Sequence, residues 1–212
     1  MLAYYSNARR FPSPNYTEGN RGRRAVVVHI AEGTWAGTLS WLRNPASTAS
    51  SHLVIGEDGA VAQLVSFDDS AWTNGLTWKA GRWRNARGKV VLPTWRLLEA
   101  PINPNLQTIT IELVGVHTKP RPEQQRRALV TVLVWLAQQL GWAQYEVGET
   151  LIGHYHLDPV DRPRCPGPHV DLEQIAALVN PALLPPPPPA PPATAPYATR
   201  HYTPVLQSPG TG

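Results

Sequence analysis

Residues 25–30, Ala-Val-Val-Val-His-Ile, form a run that is apolar and largely β-branched apart from one histidine. A strand of this composition has no face to spare for water, so it must lie inside a sheet covered on both sides. The rest of the chain offers that cover. Strand-like and helix-like runs alternate along it, which predicts an α/β fold in a single domain: a central mixed β-sheet flanked by helices. His29, next to last in the run, stands near the carboxyl end of its strand, where open α/β sheets carry their sites.

Taken in order, residues 1–24 read as an N-terminal arm without periodicity, with turn chemistry at Pro12, Pro14 and Asn15 and a basic approach at Arg21, Arg23 and Arg24. Residues 35–43 carry Leu39 and Leu42 at helical spacing and stop at Asn44-Pro45. Residues 50–65 read as a β-hairpin turning at Glu57-Asp58-Gly59. A long irregular stretch follows, containing Trp72, Trp78, Trp83 and Trp95, which suits either a ligand groove or core packing. In the next strand, 108–115, a single carboxylate, Glu112, interrupts the apolar run. The clearest helix is 123–140, with Leu129, Val132, Leu133, Leu136 and Leu140 on one stripe, Pro122 at its start and Gly141 at its end. A short helix is expected at 170–179. The folded domain is thus expected to occupy 25–180, and 181–212 to be a Pro-rich disordered tail, a spacer of polyproline II type.

Cys165 is the single cysteine among 212 residues, which excludes an internal disulfide framework. It lies a short loop after His154, in the run Cys-Pro-Gly-Pro. One thiolate and one imidazole make half of a tetrahedral metal site, and His29 is the best candidate for a third ligand. Singly, each has a plainer explanation: a buried histidine at a strand end, a turn residue, a small core hydrophobe. Three protein ligands with a fourth position open is the arrangement of catalytic zinc. Glu112, elsewhere an edge or salt-bridged carboxylate, would beside such a centre have the raised pKa and the reach of a general acid/base. His52 and His156 are further histidines near the site, and alternation turns His156 away from the face of His154.

The net charge of +4 attracts polyanions in general, whether nucleic acid, acidic membranes or cell-wall polymers, and does not choose among them. Residues 1–15 lack the apolar segment of a signal peptide, and no run is long enough to span a bilayer. Synthesis and folding in the cytoplasm are therefore expected.

Together the motifs resemble the zinc-dependent N-acetylmuramoyl-L-alanine amidases of the Amidase_2 type, which share a fold with peptidoglycan recognition proteins and amidase-type phage lysozymes. The resemblance rests on Ser13-Pro14-Asn15, Val26-Val27-Val28-His29, Ser51-His52-Leu53-Val54-Ile55 with Asp58-Gly59, Ala71-Trp72, Ile109-Thr110-Ile111-Glu112-Leu113-Val114-Gly115, and Gly153-His154 leading to Cys165-Pro166-Gly167, in family order. It implies Zn2+ held by His29, His154 and Cys165, with Glu112 as general acid/base. The implied reaction is hydrolysis of the amide joining the lactyl group of N-acetylmuramic acid to L-alanine in peptidoglycan. Peptidoglycan is then the partner rather than nucleic acid, with no membrane insertion and a monomeric state. Three departures stand out. Many relatives place lysine or threonine two residues before the last ligand, whereas Pro163 stands here between Arg162 and Arg164, either of which can substitute, Arg162 being the one favoured. Some phage enzymes carry a tyrosine where Ser51 stands, which leaves the acid/base role to Glu112. The family's Trp-His-Ala-Gly is Trp72-Thr73-Asn74-Gly75, which touches a substrate contact. The resulting expectation is a phage or prophage endolysin acting on the cell wall after release. The alternatives are a cytoplasmic amidase recycling anhydro-muropeptides and a non-catalytic peptidoglycan-binding module, against which Cys165 speaks.

Overall fold

The structure, a computed structural model, describes residues 3–184; nearly all of the expected proline-rich tail lies outside the described residues. The elements in chain order are β1 (Arg9–Arg10), β2 (Tyr16–Thr17), β3 (Ala25–Ile30), α1 (Trp35–Arg43), β4 (Leu53–Ile55), β5 (Val61–Gln63), β6 (Ser70–Ala71), β7 (Thr77–Lys79), β8 (Arg82–Arg84), β9 (Thr108–Leu113), α2 (Glu123–Leu140), β10 (Leu151–Gly153) and α3 (Leu172–Val179). Six strands make the central sheet in the order β1-β5-β4-β9-β3-β10. Only the β4–β5 hairpin is antiparallel, so the sheet is mixed, as the alternation of elements predicts.

Strand periodicity sorts the two faces. Val26, Val28 and Ile30 of β3 and Ile109, Ile111 and Leu113 of β9 point to one side, where they pack on Leu129, Val132, Leu133 and Leu136 of α2 and on Leu172, Ile175 and Val179 of α3. The intervening residues face the other side. There Ala25 and Val27 meet Trp83, Val91 and Trp95, while Val54 and Ala62 meet Leu39 and Leu42 of α1. In β9 the residues of that second face are Thr108, Thr110 and Glu112, so the strand alternates polar and apolar without a break. Every residue of β3 is buried, the consequence of having a layer on each side.

Helix α2 ends where Gly141 takes a left-handed φ of 69° and returns its N–H to Ala137. The buried Gln125 on its first turn donates to the carbonyls of Ile55 and Val114 at 2.9 and 2.8 Å, satisfying two strand-end acceptors. Helix α1 is started by Thr34, whose hydroxyl accepts from the Gly37 N–H.

Two stretches are more ordered than their sequences indicate. The arm supplies β1, which pairs in parallel with β5, and β2, which pairs with β6. Two-residue strands are too short to show any period. Within the tryptophan-rich stretch, β7 and β8 form a hairpin around Ala80 and Gly81, both at positive φ (52° and 71°), with Trp78 and Trp83 paired across it at 5.1 Å between ring centroids. That is a two-residue turn of the kind usually signalled by Asn-Gly, here hidden by an alanine. No helix among the described residues is long and apolar enough to cross a membrane.

His52 is fully buried between strands: its Nδ1 accepts from the Thr110 N–H at 3.0 Å and its Nε2–H donates to the Asp69 carbonyl at 3.1 Å. Burial pushes its pKa down to about 4, the Asp69 carbonyl pulling the other way. The unfolded chain protonates this ring near pH 6.5, so stability is complete above that pH and is lost as the pH falls toward about 4, by about 3 kcal/mol in all. In an NMR pH titration His52 should stay the neutral Nε2–H tautomer at pH 5, and an ordinary midpoint near 6.5 would contradict its packing.

Candidate metal centre

The site is built by register. Along the parallel pairs, Val28 lies beside Gly153 and His29 beside Glu112. His154, one residue beyond β10, therefore falls next to His29, and the three side chains form a row across the carboxyl ends of β10, β3 and β9. Neighbouring strands lie ~4.8 Å apart, close enough for such a row to share one ion or one substrate. His29 and His154 face each other with Nδ1 atoms 3.0 Å apart and ring centroids at 4.5 Å.

Cys165 reaches the row from the loop that follows. Its Sγ accepts from the Ile30 N–H at 3.4 Å, its carbonyl accepts from the Tyr155 N–H at 3.2 Å and its own N–H donates to the Arg162 carbonyl at 3.2 Å. Gly153 makes room for this return: a Cβ there would lie 2.5 Å from the Tyr155 ring and 2.8 Å from Pro166. The far side of the loop is held by Asp158, whose Oδ1 accepts from the N–H groups of Val160 and Asp161, and by Asp161, bound to Asn85 at 2.8 Å and Lys89 at 2.6 Å. The tryptophan-rich stretch that carries Asn85 and Lys89 thus clamps the ligand loop.

One ligand atom each from His29, His154 and Cys165 lie within 4.8 Å of one another. Burial holds His29 well below the ordinary imidazole value, helped by the nearby His154 and Arg162 charges, and pushes His154 down to about 4. Both rings are therefore neutral lone-pair donors. Burial, with the Glu112 charge adding, pushes the Cys165 thiol up to about 12, so it keeps its proton until a cation replaces it. Two imidazoles and one thiol suit a borderline-soft divalent ion with nitrogen and sulfur ligands. An orphaned atom supports the fit, since Glu112 Oε2 is buried beside them without a hydrogen-bond partner.

The three sit in a cleft of about 770 Å³ that Glu112, Arg162 and Arg164 also line, with Trp41 and Trp72 on its walls. Burial lifts Glu112 to about 8, and Arg162 opposes that shift. All five expected site residues thus line one cleft. His52 does not join them: its place in register is level with Thr110, one side-chain step short of Glu112, and its ring nitrogens are spent on Thr110 and Asp69. His156 turns back to accept from the Gly153 N–H at 3.1 Å. Sequence reasoning missed the role of Asn74, whose carbonyl accepts from His154 Nε2 at 3.2 Å. Its one signal was the asparagine in Trp72-Thr73-Asn74-Gly75, where the resembling family has alanine.

A protein-family model described as N-acetylmuramoyl-L-alanine amidase (Amidase_2) matches residues 19–168. The 1,6-anhydro-N-acetylmuramyl-L-alanine amidase AmpD of Salmonella typhimurium LT2 is 30% identical over 193 residues, covering 81% of this chain and 90% of that protein. N-acetylmuramoyl-L-alanine amidase A of Achromobacter lyticus is 38% identical over 61 residues, 28% of this chain and 34% of that protein, so this chain spans about a third of that relative. Among solved structures, that of a selenomethionine AmpD derivative superposes with a TM-score of 0.61 at 24% identity, covering 84% of this chain and 98% of the other.

Replacing Cys165 by serine keeps the size and removes the soft ligand. Zn2+ affinity, measured by competition with a chromophoric chelator, should fall by more than ~100-fold, beyond the ~10–100-fold typical of losing an outer partner. A Cys165→Ser protein that holds Zn2+ as the parent does would remove the thiol from the centre.

Proposed function

The chain belongs to the Amidase_2 family of N-acetylmuramoyl-L-alanine amidases, and from that premise we propose that it hydrolyses the amide between the lactyl group of N-acetylmuramic acid and L-alanine with the help of Zn2+. The observation that carries this reading is the convergence of His29, His154 and Cys165 beside an unpartnered carboxylate in one open cleft. Zn2+ bound by these three would supply Lewis acidity, polarising the scissile carbonyl and easing ionisation of water.

The remaining chemistry is assigned to this chain's own groups. Glu112 Oε2, buried and free of any hydrogen bond, takes a proton from the attacking water and later delivers it to the leaving nitrogen of L-alanine. The carbonyl carbon gains the water oxygen, the C–N bond breaks, and the products are a lactyl carboxylic acid and a free peptide amine. Opposed effects of burial and of Arg162 keep Glu112 within reach of neutrality, where one group can both accept and return a proton. Arg162, on the wall of the same cleft, supplies fixed positive charge toward the oxygen that becomes negative in the transition state.

The substrate favoured is a soluble 1,6-anhydro-muropeptide. Support comes from the AmpD relative, which is named for that substrate and aligned along most of both chains. An endolysin acting on the intact wall is the second reading, favoured by the net charge of +4 against an anionic polymer. Purified protein should release L-alanine amino groups from anhydro-muropeptide at least ~10-fold faster, per scissile bond, than from intact sacculi, an advantage worth ~1.4 kcal/mol in the barrier. The reverse preference would select wall lysis.

Removal of Zn2+ by a chelator should abolish release of amino groups, and adding Zn2+ back should restore it. Glu112→Gln should retain Zn2+ and lose about 10²–10⁴-fold in kcat. A rate within a few-fold of the parent would assign the proton transfer to another group.

A further inference from the structure

Asn74 is placed where both histidines can share one partner. On one side, the His154 Nε2–H donates to the Asn74 carbonyl oxygen at 3.2 Å, which leaves the His154 Nδ1 as a lone pair facing His29. On the other side, His29 Nε2 and Asn74 Oδ1 are both buried and both without a hydrogen-bond partner. The two atoms are complementary. A neutral imidazole that offers Nδ1 as a lone pair must carry its proton on Nε2, and an amide oxygen can only accept.

The orientation of the Asn74 amide is settled by its other end. Its Nδ2 donates to Thr108 Oγ1 at 3.0 Å, and that hydroxyl is committed to the Pro104 carbonyl at 2.9 Å, so it must accept from Asn74. Oδ1 is therefore the free branch, and an attraction between this side chain and His29 acts against the effect of burial on the ring. The backbone is fixed as well: the Asn74 N–H donates to Asn105 Oδ1 at 2.9 Å. A residue held at its backbone N–H and side-chain amide nitrogen, with its backbone carbonyl bonded to His154 and its Oδ1 still uncommitted, can dictate which nitrogen of each ring is free once Oδ1 closes on His29 Nε2.

We propose that Asn74 is a positioning residue for the metal centre, fixing His154 through its backbone carbonyl and His29 through Oδ1 so that both rings present Nδ1 to the ion. This rests on the metal reading of the His29, His154 and Cys165 group. It reaches beyond that reading because the resembling family's motif has alanine at this position, and alanine could supply only the His154 half. Outer partners of this kind orient the ring and raise its basicity as a ligand, and their loss costs ~10–100-fold in metal affinity.

The test is Zn2+ affinity by chelator competition in the full chain, for the parent, Asn74→Ala and Asn74→Asp. Asn74→Ala should still fold cooperatively without metal, with a modestly lower thermal midpoint from the lost Thr108 bond, and bind Zn2+ about 10–100-fold more weakly, whereas Asn74→Asp, which restores an acceptor, should recover affinity. Asn74→Ala within twofold of the parent overturns the proposal, and so does Asn74→Asp as weak as Asn74→Ala, which would mark a packing role. A parent protein that binds no Zn2+ overturns the metal reading along with it, so the two failures are told apart. If Asn74→Ala does not fold, nitrogen-15 NMR of the Zn2+-loaded parent decides. Slowly exchanging Nε2–H signals from both His29 and His154 support the assignment, and an Nδ1–H on His29 refutes it.

Discussion

The parallel, in-register pairing of β10, β3 and β9 is the constraint on which the site depends. Side chains in register on parallel strands leave the sheet on the same face, so Gly153 beside Val28 and Glu112 beside His29 bring His154, His29 and Glu112 into one row. A slip of one residue in either pair would send one member through the sheet into the apolar layer under α2 and α3. That layer prevents the slip. Val26, Val28, Ile109, Ile111 and Leu151 are all buried against it, and a slipped strand would exchange them for histidine, threonine and glutamate. The core that makes β3 fold is thus the same feature that aims its one polar residue at the cleft.

Register supplies a row, and an ion held there would need a ligand outside it. The loop from His154 to Cys165 brings the thiol to the row by doubling back over the end of β3, and its shape is set by polar contacts rather than by apolar burial. Asp158 folds the turn, Asp161 ties it to Asn85 and Lys89, and the Cys165 backbone closes on Tyr155 and Arg162. These contacts explain what the tryptophan-rich stretch does. Trp83 and Trp95 are core residues against Ala25 and Val27, while the hairpin they anchor holds the clamp, and Trp72 remains on the cleft wall. Of the two roles that its composition allowed, groove and core, the stretch takes both.

Legibility followed the range of the interactions. β3, α2 and the β4–β5 hairpin could be read because each is announced by its own period or turn residues, His29 and Glu112 because each interrupts an apolar run, and His154 and Cys165 because the single cysteine stands in Cys-Pro-Gly-Pro a short loop after Gly-His. The short strands β1 and β2 could not, since two residues show no period and their pairing partners lie more than 50 positions away. His52 misled for a related reason. Its place along β4 was clear, but only the register with β9 shows that it stops level with Thr110, below the row. Asn74 was hidden most deeply, because its contacts come from two distant segments, Asn105 and Thr108 ahead of and at the start of β9 and His154 after β10.

The charges of the site also act as one system, and this is where a single arginine matters. Arg162 lowers His29, His154, Glu112 and Cys165 alike, favouring neutral imidazoles, an ionised carboxylate and an ionised thiol. Burial agrees with Arg162 at the two histidines and opposes it at the two acids, where burial wins. Burial, with Arg162 adding to it, therefore makes the histidines competent as ligands, and burial against Arg162 leaves the thiol and the carboxyl protonated. A divalent cation among the same groups would act in the sense of Arg162 with twice the charge, and would tip the two acids that Arg162 alone cannot. The protein's own electrostatics stop one step short of the proposed centre, and the charge of a bound ion would supply that step.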